Sequence, residues 1–169
     1  MDRTNLTKDD VGLLESFYLE AMRHGWAAGA KKVSISELPG AKAIPYRDEK
    51  KQLYLLDWYF APQNSLNGAS AGTTMIWYKG IPVWLMHYGG RYRKEATPFL
   101  KAALTRAYEL PVFWGGRGLP YDYQGGERLV YINQTEKQSS FADFRGEEMI
   151  IDLLTRTRIG WHTYWGTLL

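Results

Sequence analysis

The chain has 169 residues and a formal charge of +3, with 21 Lys and Arg against 18 Asp and Glu, and it contains no cysteine. That length suits one domain with a core that needs no staples. The missing thiols exclude disulfides, cysteine nucleophiles and cysteine-ligated zinc, and a slight, scattered basic excess disfavours nucleic acid, whose binders gather charge on one face.

The N-terminal MDRTNLTKDD is polar and charged, unlike a signal peptide. Thr7 followed by Asp10 is an acidic variant of the capping box, and Val11, Leu14, Phe17, Tyr18, Ala21 and Met22 then recur at helical spacing as far as Gly25. The polar stretch 31–40 ends in the turn signal Pro39-Gly40. The period then changes. QLYLLDWYF (52–60), TTMIWY (73–78) and IPVWLMHY (81–88) predict strands, the last two joined by a Lys79-Gly80 hairpin. These strands are apolar on both faces in places, which predicts cover on each side of the sheet. A second helix is expected from Thr97, as its cap, through Pro98 in the first turn to Tyr108, with Phe99, Leu100, Ala103, Leu104 and Ala107 as its buried stripe. After the glycine-rich connector VFWGGRGLPY (112–121), ERLVYIN (127–133), EEMIID (147–152) and RIGWHTYW (158–165) complete the predicted strands. No apolar run reaches the length of a membrane span, and no linker divides the chain. The expectation is one cytoplasmic α+β domain with antiparallel β-structure and two main helices, without membrane contact.

The two halves echo each other. IPY (44–46) returns as LPY (119–121), Leu53 as Leu129, GTTMI (72–76) as GEEMI (146–150), and Trp84-LMH-Tyr88-Gly89 as Trp161-HTY-Trp165-Gly166. Four anchors in the same order point to an internal duplication of an α-βββ unit, with halves 1–90 and 91–169. The echo pairs Trp84 with Trp161, Tyr88 with Trp165 and Asp57 with Asn133, and makes the turn after Met149 three residues longer than the one after Met75.

The site candidates are weighed against plain packing. His24, His87 and His162 are the only histidines, and none has metal-binding spacing, so no metal and no cofactor is expected. Asp57 and His87 would form an orienter–base pair only if their strands adjoin, and there is no Gly-x-Ser-x-Gly elbow to supply a nucleophile. No catalytic residue is assigned. GGRYRK (89–94) and FWGGRG (113–118) combine glycine with arginine as anion cradles do, although such runs are more often turns. The strongest candidate is an aromatic ligand-binding set, Asp57, Trp58, Trp77, Trp84, His87, Tyr88, Trp161 and Trp165, suited to a small apolar or aromatic ligand and in competition with ordinary core packing.

The runs SFYLEAMRHGWAAGA and YLLDWYF, and the segment Trp77-Tyr78-x-Gly80-x-Pro82-Val83-Trp84-x-Met86-x-Tyr88-x-Gly90, resemble the bacterial family called domain of unknown function 5680. The resemblance spans residue 16 to the end. Two departures are His87, where the family pattern has Asn, and a longer LLTRTRIG hairpin. The resemblance implies no established activity. Some members look like effector domains of helix-turn-helix regulators, of which this chain would be at most the effector part. The expected function is therefore a small-molecule-binding or sensory domain. A homodimeric interaction module is the alternative, and an enzyme of unknown class comes third.

Overall fold

The computed structural model describes residues 6–62, 65, 68–115 and 117–169. Helix α1 (Lys8–Arg23) starts where expected: the Asp10 N–H donates to Thr7 Oγ1 at 3.2 Å, and the Thr7 N–H donates back to Asp10 Oδ2 at 2.9 Å. Such a cap is worth about 1 kcal/mol. Leu14, Phe17, Tyr18, Ala21 and Met22 form its buried face.

Five strands follow: β1 (Val33–Ser34), β2 (Lys42–Asp48), β3 (Leu53–Phe60), β4 (Ala69–Tyr78) and β5 (Ile81–Tyr92). Helix α2 (Thr97–Glu109) leads to β6 (Tyr123–Gly125), β7 (Leu129–Thr135), β8 (Asp143–Asp152) and β9 (Thr157–Leu168). Among the described residues these nine strands form one antiparallel sheet, ordered β1-β2-β3-β4-β5-β9-β8-β7-β6. The class is α+β, as expected, and the β5–β9 pairing joins the two halves into a single sheet.

Three expectations need correction. The α-βββ unit is too short, because β2 and β6 extend the two halves outward and β1 adds a further edge. Pro45 disguised β2; β1 pairs only with Lys42 and Ala43, so the N–H that Pro45 lacks costs no ladder bond on that side. Thr97 does not cap α2. It is the first helical residue, and a 3-10 turn over Lys94–Ala96 runs into the helix with no side-chain cap. Nor is the sheet covered on both faces. Both helices pack on one face, where Tyr18 meets the rings of Trp84 and Tyr108, at 5.1 and 6.5 Å. No described element covers the opposite face.

The echo is also out of register. Ile76 lies opposite Trp84 and Ile150 opposite Gly160, and a bulge follows each isoleucine. The β4–β5 turn is Lys79-Gly80 and the β8–β9 turn is 153–156, a difference of two residues rather than three. A shift of one residue turns every side chain to the other face. The counterpart of Tyr88 is thus Tyr164. Tyr88 donates to Asp57 Oδ1 at 2.8 Å, and Tyr164 donates to Asn133 Oδ1 in the same way. Each hydroxyl crosses a glycine of the intervening strand, Gly72 or Gly146, where an added Cβ would lie 2.6 or 2.4 Å from the tyrosine oxygen.

Candidate functional site

Strand alternation and the two helices form a partly open cavity of about 170 Å³ between α1, α2 and the helix-bearing face of the sheet. Met22 and Trp26 border it from α1 and the turn that follows, Leu100, Leu104 and Tyr108 from α2, and Asp57, Tyr59, Ser70, Tyr88, Tyr92 and His162 from the strands. Arg117 enters from the glycine-rich connector.

The polar centre of this region is Glu148. It shares a strand face with Ile150, and both are completely buried. A carboxylate so placed requires partners. Arg117 Nε donates to its Oε1 at 2.8 Å and the Tyr131 hydroxyl to its Oε2 at 2.7 Å. The guanidinium stacks on Tyr88, its Cζ 4.6 Å from the ring centroid. Burial works against the Arg117 charge, but Glu148 and the surrounding tyrosines hold its pKa well above the ordinary value. No Nη atom of Arg117 makes a hydrogen bond among the described residues.

Among the described residues, three buried polar atoms around the same cavity also lack partners: the hydroxyls of Tyr92 and Tyr108, and His162 Nδ1. Buried polar groups are normally satisfied, so three orphans on one cavity are informative. Burial pushes both phenols well up. Burial, and then the nearby guanidinium, holds His162 well below its usual pKa, so the ring is neutral. Asp57 accepts from Tyr88 at 2.8 Å and from Thr74 at 3.0 Å. Burial nonetheless raises its pKa, because those two bonds only partly offset the loss of water.

Ser70, His162 and Glu148 follow one another in the order of a nucleophile–base–acid relay. Ser70 Oγ lies 3.0 Å from His162 Nε2. The acid end is open: His162 Nδ1 stands 3.7 Å from Glu148 Oε1, the oxygen already held by Arg117. The imidazole is therefore not oriented as such a base must be. Among the described residues, no three acidic or histidine side chains converge as a metal site.

The sequence-selected residues divide between the two faces. Asp57 and Tyr88 border the cavity. Trp84 is fully buried nearby; its indole N–H donates to the Phe141 carbonyl at 2.8 Å, and its ring stacks on Phe141 at 4.9 Å. VWLMHYGG is thus core at Trp84 and cavity wall at Tyr88. Trp58, Trp77, His87, Trp161 and Trp165 stand on the opposite face. There Trp77 stacks on Tyr54, His87 meets Trp165 at 4.9 Å, and Arg91 and Arg158 lie over Trp161. Asp57 and His87 therefore cannot pair. His87 bonds to Thr73 on its own face at 2.7 Å. The sequence reading left Glu148, Tyr92, Tyr108 and His162 out of the ligand-binding set, considered His162 only as a metal ligand, and noticed Arg117 only as part of FWGGRG. One signal for Glu148 was available: in EEMIID it alternates with Ile150, which puts an acid on an apolar face.

No helix among the described residues is long and apolar enough to cross a membrane. Neither the comparison with curated proteins nor that with solved structures returned a match. Comparison with protein families matches residues 65–167 to Domain of unknown function (DUF5680). That segment carries Tyr88, Tyr92, Tyr108, Arg117, Glu148 and His162, whereas α1 and β3, with Asp57, lie before it. The match covers more than half of the chain, which therefore belongs to the DUF5680 family.

Proposed function

We propose that the chain is a small-molecule-binding, sensory domain whose ligand occupies the cavity between the helix pair and the sheet. The observation that carries this reading is the convergence of Arg117, with its free Nη nitrogens, and three unpaired buried polar atoms on one space of about 170 Å³. An empty apolar cavity of roughly this size can accept benzene. This one also presents unmet hydrogen-bonding groups, which a ligand or ordered water would satisfy. Absence of cysteine suits a reducing cytoplasm. Native mass spectrometry of freshly purified protein tests the reading. An added mass that leaves on denaturation supports it. A clean mass, together with no shift in tryptophan emission or thermal midpoint across a broad ligand panel, counts against it.

A second reading rests on the uncovered face, where Trp165 is 46% and Phe60 39% exposed. Large exposed rings on a flat sheet face suit association between two copies of the chain. On this reading Trp58, Trp77, Trp161 and Trp165 are interface residues.

A further inference from the structure

We infer that the cavity receives a compact, mainly apolar molecule bearing one carboxylate, taken by the Nη nitrogens of Arg117 and the hydroxyls of Tyr92 and Tyr108. This deepens, and rests on, the ligand-binding reading above.

The unmet hydrogen bonds belong to Arg117 and not to Glu148. Glu148 is complete: one oxygen accepts from Arg117 and the other from Tyr131. Arg117 is not. Its Nε is used, its flat face covers Tyr88, and the Nη edge stays open beside the cavity. Stacking on a ring leaves that planar edge free for two parallel N–H···O bonds, the geometry a carboxylate fits. Tyr92 and Tyr108 have no hydrogen-bond partner among the described residues, and both lie within electrostatic range of the same guanidinium. The guanidinium can only donate and each tyrosine hydroxyl can donate, so an acceptor satisfies all three groups at once.

Arg117 and Glu148 neutralise each other, which leaves Asp57 as the nearby acid without a cation of its own. An ionised Asp57 would repel an incoming carboxylate. Burial raises the Asp57 pKa, against the opposing pull of the Tyr88 and Thr74 hydrogen bonds and of the Arg117 charge, and so weakens that repulsion. Met22, Ala27, Leu100 and Leu104 add hydrocarbon to the wall. The volume fits about one six-membered ring with its carboxylate.

The test is titration calorimetry with benzoate, benzyl alcohol and benzylamine, on the native chain and on the double variant Y92F/Y108F. That variant removes two buried hydroxyls that make no hydrogen bond within 3.5 Å among the described residues, so its thermal midpoint should hold or rise. The expected result is saturable benzoate binding at one site, at least tenfold tighter than either comparator and at least tenfold weaker in the folded double variant. Tighter binding of benzyl alcohol or benzylamine overturns the carboxylate assignment and leaves the cavity as a ligand site. Benzoate binding that the double variant leaves unchanged also overturns it. Failure of all three probes overturns the carboxylate assignment together with the cavity reading.

Discussion

Glu148 and Arg117 are each more than nine-tenths buried, and among the described residues each is the other's only opposite charge in contact. Removing one partner from such a pair leaves an uncompensated charge and costs about 3–5 kcal/mol, while an apolar replacement of both is close to neutral. Glu148→Ala should therefore lower the unfolding free energy by about that amount, and the double change Arg117→Met with Glu148→Leu should recover most of it, as read by urea titration. Two further groups govern the response to pH. Asp57 has a raised pKa in the fold, so the stability it contributes is complete below the unfolded value of about 3.9 and is lost as pH rises through the folded value. Asp57→Asn keeps an oxygen for Tyr88 and Thr74, as Asn133 does for Tyr164. Its thermal midpoint should gain on the parent's as pH is raised from 4 to 7. His162 has the opposite sign. Its pKa is depressed in the fold, so its contribution is complete above about 6.5 and is lost as pH falls below that value. His162→Gln should flatten the fall in midpoint between pH 6.5 and 5. An unchanged slope would mean that the ring is not held neutral.

At the scale of elements, β4 and β8 do the same work. Each inserts a glycine, Gly72 or Gly146, beneath a tyrosine that reaches across it to a strand two places away. A methyl group at either glycine would meet the tyrosine and also a backbone oxygen, Trp58 O at 2.5 Å or Gln134 O at 2.6 Å. Backbone in a paired strand cannot withdraw, so Gly72→Ala and Gly146→Ala should each cost about 1–3 kcal/mol by overpacking. Gly72→Ala should in addition weaken any ligand held beside Tyr88. An alanine tolerated without loss at both positions would show that the tyrosines move freely. Helix α1 was legible in full because its cap and its stripe are local. The start of α2 was not, since the 3-10 turn before it satisfies the backbone without a capping side chain.

At the scale of the whole molecule, one sheet face carries the helices and the cavity, and the other carries rings in the open. If the open face joins two copies, sedimentation velocity should show a dimer at micromolar protein, and Trp165→Glu should return it to monomer with little loss of thermal stability, since Trp165 is 46% exposed. A parent chain that stays monomeric would end that reading and leave the cavity untouched. The two functional surfaces are separable by mutation because alternate residues of one strand serve opposite faces. His87 and Tyr88 are neighbours in sequence, yet one faces Trp165 and the other Asp57.

The sequence by itself determined what depends on local pattern: two helices by their apolar spacing, most strands by their branched and aromatic runs, the Lys79-Gly80 turn, and the resemblance to the family that residues 65–167 match. It also aligned Asp57 with Asn133, because both sit at the same step from their anchor leucines. What it could not determine was which face each ring occupies. That depends on the difference in length between two hairpin turns, and an error of one residue reverses every side chain from there on. The cavity was out of reach for a related reason. Its polar groups come from an irregular connector, a helix and four strands, and the glycine-rich connector places Arg117 beside Glu148 only after β7, β8 and β9 have paired. Such a contact joins residues far apart in the chain, with no spacing rule to reveal it, and only the tertiary structure decides it.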